Sequence, residues 1–74
     1  MKVTIESTEK IIEFNGVPAR VWEGKTHTGV KVLLYVTRVS ISGDENRVEE
    51  FEQQLIQQKA PSPEAKAIPL RLIL

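Results

Sequence analysis

The sequence predicts an α+β fold: a four-stranded antiparallel β-meander, one C-terminal-half α-helix, and a docked or swapped C-terminal strand. Three observations predict it. The first 41 residues read as strands joined by turns, beginning with Val3 and Ile5 at the two-residue period of a half-buried strand. Asn15-Gly16 stands between two such runs, and both residues accept the positive φ of a type I′ hairpin turn. Beyond Ser42 the period changes, with Val48, Phe51 and Leu55 at the spacing of one helical face.

The meander is expected over residues 1–41. Val3 and Ile5 alternate with Lys2, Thr4 and Glu6 in a first strand, and Ser7-Thr8-Glu9-Lys10 reads as a turn. Ile11 to Phe14 forms a second strand, and Val17 to Glu23 a third with Pro18 near its start. The loop Gly24-Lys25-Thr26-His27-Thr28-Gly29 leads to a long fourth strand from Val30 to Ile41. Two-residue turns would pair Phe14 with Val17, Ile12 with Ala19, Ile5 with Ile12 and Val3 with Phe14. Closing the six-residue loop would set Val21 opposite Val32 and Ala19 opposite Leu34. One face would then gather the apolar set from Val3 to Val36, and a slip of one residue would scatter it.

The helix is expected over residues 44–59. Ser42 and Glu45 fit a capping box, Asp44 is a rival cap, and Glu45, Glu49, Glu50 and Glu52 favour the helix start. Pro61 and Pro63 end it. Residues 60–67 read as an extended linker, and 68–74, Ile-Pro-Leu-Arg-Leu-Ile-Leu, as an apolar tail. Residues 1–74 form a single domain on this reading. A core drawn from 74 residues with no cysteine is close to the lower limit of independent stability, and the remaining support is self-association. A homo-oligomer is therefore expected, its tail docked on its own domain or on a neighbour.

Composition excludes several functions. Ten Lys+Arg balance ten Asp+Glu, which argues against a general DNA binder. No apolar run approaches the ~20 residues that cross a bilayer, and MKVTIESTEK lacks the pattern of a signal peptide. No membrane partner and a cytoplasmic location are the expectations. The single histidine, His27, belongs to no nucleophile–base–acid motif and to no metal-ligand spacing, and the glycines make no phosphate loop. Neither an enzyme nor a cofactor or metal is expected.

Binding fits the residues better. The zero net charge divides unevenly, with four Lys/Arg and one Glu over 16–41 but two basic and five acidic residues over 44–59. On the expected register Arg20, Trp22, Lys31 and Tyr35 share the second sheet face, and Lys25, His27 and Thr28 lie in the adjoining loop. Arg38 joins them only if a bulge re-aims the strand. Aromatic rings beside cationic groups suit a flat, anionic, nucleotide-like ligand through stacking and charge-assisted hydrogen bonds. Arg20, Lys25, Lys31 and Arg38 would hold phosphate, Trp22 and Tyr35 would stack on a base, and His27 and Thr28 would supply hydrogen bonds. The same aromatic pair also suits a protein interface, and a pocket at an interface satisfies both. Single-stranded nucleic acid ranks lower because the basic stripe is small.

The segment Asn15-Gly16-Val17-Pro18-Ala19-Arg20-Val21-Trp22-Glu23-Gly24 resembles a stretch found in short uncharacterised proteins of tailed phages and proteobacterial prophages. The Glu50-Phe51-Glu52 region, the Pro61-Ser62-Pro63 linker and the Ile68-Pro69-Leu70-Arg71 tail are similar to the same group. The resemblance implies a counter-defence accessory protein in the cytoplasm of an infected bacterial host. Such proteins bind a host protein or sequester a nucleotide signal, and the nucleotide sponges among them are small oligomers with aromatic and basic pockets. The expected function is a non-enzymatic oligomeric binder of a phosphorylated nucleotide signal. The alternative is an interaction module that docks on a host or phage protein.

Overall fold

Asn15 and Gly16 take φ values of 50° and 81°, and the turn they make fixes the register of the hairpin on either side. Phe14 stands opposite Val17 and Ile12 opposite Ala19, as the turn requires. The computed structural model that describes this hairpin covers residues 1–67. Over those residues it contains β1 (Val3–Phe14), β2 (Val17–Thr26), β3 (Lys31–Val36), α1 (Val48–Leu55) and α2 (Pro63–Ala67). The strands form one antiparallel sheet in the order β1-β2-β3. The expected tail strand, 68–74, lies outside the described residues.

The class is α+β as expected, but the described sheet has three strands where four were expected. The first two expected strands are a single one. Ser7 to Lys10 makes no turn; β1 runs through it and carries an irregularity, with Ser7 opposite Trp22 and Ile11 opposite Arg20. Three residues of β1 thus oppose the single residue Val21. Several hydrogen bonds hold the insertion in place. The buried Thr8 hydroxyl donates to the Val21 carbonyl at 2.7 Å and accepts from the Lys10 amide at 3.2 Å. The Arg20 guanidinium donates to the Thr8 carbonyl at 2.8 Å. Glu9 N–H donates to the Lys59 carbonyl and Lys59 N–H to the Ser7 carbonyl, so residue 59 borders β1 where the ladder opens. The expected pairs Ile5 with Ile12 and Val3 with Phe14 do not form; Ile5 faces Gly24 and Val3 faces Thr26.

The second correction concerns the loop. Gly24 and Lys25 are strand residues, and the connection is His27–Val30. A Cβ on Gly24 would collide with the Thr4 carbonyl oxygen and stand 2.8 Å from the Ile5 Cα, so glycine is what lets β1 pass. Thr26 organises the turn instead. Its N–H donates to the Val30 carbonyl, its carbonyl accepts from Gly29 N–H, and its hydroxyl accepts from Val30 N–H at 3.1 Å. Val21 therefore pairs with Tyr35 and Trp22 with Leu34, three residues from the expected partners. An odd displacement turns every β3 side chain to the opposite face. Val32, Leu34 and Val36 accordingly share a face with Val3, Ile5, Arg20 and Trp22, while Leu33 and Tyr35 share the other with Ile12, Phe14, Ala19 and Val21. Both faces are partly apolar. Pro18 lies beyond Arg20, the last β2 residue that β3 reaches, where no neighbour needs its missing N–H.

The helical part is shorter than expected and divided in two. Ser42 makes no helix cap: its hydroxyl donates to Asp44 at 2.6 Å and its carbonyl accepts from Glu45 N–H. Glu45 accepts from the N–H groups of Asn46 and Arg47, both at 3.1 Å, so the helix begins only at Val48. It ends at Leu55 because residues 57–59 turn to β1, where Ser7 Oγ donates to the Gln57 carbonyl. Within the expected linker, Ser62 caps α2 by accepting from Ala65 N–H at 3.2 Å, and Pro63 takes the first helical position. This segment crosses the face that carries Val21. Lys59 and Ser62 both bond to Glu23, and Lys31 approaches Glu64 at 3.4 Å. Ala19, Val21, Thr8 and Ala65 are the described residues that are fully or almost fully buried.

Candidate functional site

The other face, which carries Arg20 and Trp22, forms the floor of a cleft of about 410 Å³. Ser7 and Ile11 of β1, Arg20 and Trp22 of β2, and Val36 of β3 line it from below. Thr37, Arg38 and Val39 close one side, and Leu55, Ile56 and Gln58 the other. The lining holds two arginines and no carboxylate. In a chain of zero net charge, that separation makes the cleft a local positive field. Arg20 is half-buried and fixed by the bond from its guanidinium to the Thr8 carbonyl. Arg38 is exposed. The expected register needed a bulge to bring it to Arg20, but in the observed register Val36 shares a face with Arg20. The same alternation, carried two residues past the end of β3, puts Arg38 on that side.

The sheet divides the expected site. Arg20, Trp22 and Arg38 come together in the cleft; Lys25, Lys31 and Tyr35 stand on the opposite face. The three-residue displacement of β3 moved Tyr35 and Lys31 away from Trp22, and Lys25, a strand residue three places after Trp22, falls on the opposite face by alternation along β2. Tyr35 is engaged by Phe14, with ring centroids 6.0 Å apart and planes 21° from parallel. Lys31 pairs across the ladder with Lys25 and has Glu64 beside it. His27 and Thr28 are exposed in the turn at the far end of the hairpin. His27 N–H donates to the Lys2 carbonyl, and the Thr28 hydroxyl lies 3.2 Å from that of Thr26, a turn-building role for both.

Ile11, Val39, Leu55 and Ile56 were missed as cleft residues. Their exposures are 56 %, 42 %, 43 % and 71 %, high for aliphatic side chains gathered in one place. The signal for Ile11 was available, because pairing Ile12 with Ala19 leaves the adjacent residue, Ile11, on the face of Arg20 and Trp22. For Leu55 and Ile56 there was none, because the route of α1 is decided by where residue 59 meets β1.

On the covered face, Glu23 is the principal charged group, with a side chain only 10 % exposed. A hydrogen bond from Lys59, with a second from Ser62 Oγ at 2.7 Å, holds its carboxyl below the usual carboxylate range. The same contact raises the Lys59 ammonium above its ordinary value. This is a structural clasp, fully satisfied within the chain. Among the described residues no group of three or more His, Asp or Glu is placed to hold a metal ion, and no helix is long and apolar enough to cross a membrane. Comparison of the chain with protein-family models, curated proteins and solved structures finds no match in any of the three.

Proposed function

We propose that this chain is a non-enzymatic, oligomeric binding protein whose cleft takes a flat anionic ligand, most concretely a phosphorylated nucleotide signal. The observation that carries the reading is the pairing of Trp22 with Arg20 and Arg38 in a cleft that holds no carboxylate. An indole presents an extended π surface to a base, and two guanidiniums match phosphate oxygens with forked donors. A volume near 410 Å³ lies within the usual range for small-molecule sites. The ligand set is thus Arg20, Trp22 and Arg38, and Lys25, His27, Thr28, Lys31 and Tyr35 are no longer part of it. The resemblance to short phage and prophage proteins supports a counter-defence role in the cytoplasm of an infected host.

Titration calorimetry with cyclic dinucleotides and ADP-ribose derivatives tests this. Heat is expected with at least one of them, Arg38→Ala should weaken binding by about tenfold or more, and Tyr35→Ala should leave it unchanged. No heat with any nucleotide ends the reading. A second reading, an interaction module for a host or phage protein, is favoured by the exposed Ile11, Val39, Leu55 and Ile56 around the same cleft.

A further inference from the structure

The two edges of the sheet are treated very differently. The outer edge of β1 carries Glu6, Glu9, Lys10 and Glu13, is broken by the irregularity at Thr8, and is bordered there by Lys59. Charges, irregularities and covering segments are the means by which proteins keep a strand edge from pairing with another chain. The outer edge of β3 has almost none of them. Lys31-Val32-Leu33-Leu34-Tyr35-Val36 contains one charge at its end, no proline, no glycine and no interruption in its pairing with β2. Among the described residues nothing pairs with that edge.

We infer that β3 pairs antiparallel with β3 of a second copy, joining two three-stranded sheets into one of six strands. This deepens the oligomeric part of the proposed function and rests on it, while the cleft and its ligand stand apart from it. The geometry of self-pairing is restrictive. Directly opposite residues in an antiparallel pair lie on one face, so a twofold axis perpendicular to the sheet must pass beside one residue and its own copy. Leu33 or Leu34 gives the longest overlap. Either choice continues both apolar faces across the junction, with Leu34 and Val36 on one side and Leu33 and Tyr35 on the other. It also places the two Lys31 ammonium groups at opposite ends, at least ~13 Å apart along the strands, beyond the ~8 Å screening length of physiological salt. A polar peptide would not continue the two apolar faces in this way. Because Val36 lines the cleft, the two clefts open on one face of the joined sheet, either side of the axis.

The chain has no cysteine, so single cysteines report cleanly on this contact. Sedimentation equilibrium of the full chain is expected to give a dimer. Leu33→Cys or Leu34→Cys should form a disulfide-linked dimer under oxidised glutathione, and Thr4→Cys on β1 should not. Amide exchange on the unmodified protein provides a second measurement that needs no variant. Every β3 amide should be protected in the dimer, including the alternate ones that β2 does not use, and dilution should release those alternate ones first. A monomer throughout the micromolar range overturns the inference. So does a dimer in which neither β3 cysteine links and the alternate amides exchange freely, since another surface, such as residues 68–74, then joins the copies. Calorimetry on the cleft is read independently, so loss of the dimer contact and loss of ligand binding are distinguishable.

Discussion

Gly24 is the residue on which the sheet turns, though nothing about its side chain does any binding. The backbone of β1 at Thr4 and Ile5 passes so close that a Cβ has no place to go. Both obstacles are main-chain atoms inside a ladder, and a ladder cannot shift locally without breaking its neighbours. Gly24→Ala is therefore expected to destabilise the chain by at least ~3 kcal/mol, the upper end of what overpacking costs. Urea unfolding followed by Trp22 fluorescence measures it, and a loss below about 1 kcal/mol would show that β1 yields more easily than a paired strand should. Asn15 and Gly16 act through the opposite property, an allowed positive φ with open space around Gly16. Arg20 links the two roles seen at single positions, because one bond to the Thr8 carbonyl both closes the irregular part of β1 and aims the guanidinium at the cleft.

Between elements, the hairpin at Asn15-Gly16 was readable because a two-residue turn admits only one register. The loop at 24–29 was not, because two glycines bracket it and either could have ended the strand. Glycine usually marks a turn, and Gly24 instead marks a close approach that only the position of β1 explains. That one reversal displaced β3 by three residues, exchanged its faces, and took Lys31 and Tyr35 out of the expected ligand set while leaving Arg20 beside Trp22. The polar run Ser7 to Lys10 likewise looks like a turn, and becomes a strand only because Val21, Arg20 and Lys59 supply partners from far along the chain. The contact of Lys59 and Ser62 with Glu23 is of the same long-range kind, and it has a pH signature. A carboxyl whose folded pKa is depressed adds stability above its unfolded value of about 4.3, and that stability disappears as pH falls through the folded value. The raised Lys59 works in reverse, adding stability below about 10.4 that is lost as pH rises through its folded value. Glu23→Gln should thus lower the urea midpoint at pH 7, and the midpoints of the two proteins should converge as the solution is acidified below pH 4. Parallel midpoints at every pH would mean that the clasp does not bear on folding.

For the molecule as a whole, the described core is thin. Ala19, Val21, Thr8 and Ala65 are fully or almost fully buried, and none is large, whereas Ile11, Val17, Val30, Val48, Leu55 and Ile56 are each more than two-fifths exposed. No residue of α1 is buried, although its apolar positions fall on one stripe as a core-facing helix requires. Among the described residues little apolar surface is fully buried, against an ordering cost of about 1–2 kcal/mol for each fixed residue. The inferred β3–β3 pairing would add main-chain hydrogen bonds at that edge and side-chain contacts among Leu33, Leu34, Tyr35 and Val36 of the two copies. Folding that depends on association is concentration-dependent by mass action. For a dimer of this length, a tenfold rise in protein concentration shifts the balance by about 1.4 kcal/mol, which corresponds to about 4 °C in the midpoint of thermal unfolding. Thermal melts over two decades of concentration should therefore climb by about 8 °C in all. A midpoint that stays fixed over that range would place the stabilising surface within the single chain, and the exposed aliphatic residues around the cleft would then be left for a partner of another kind.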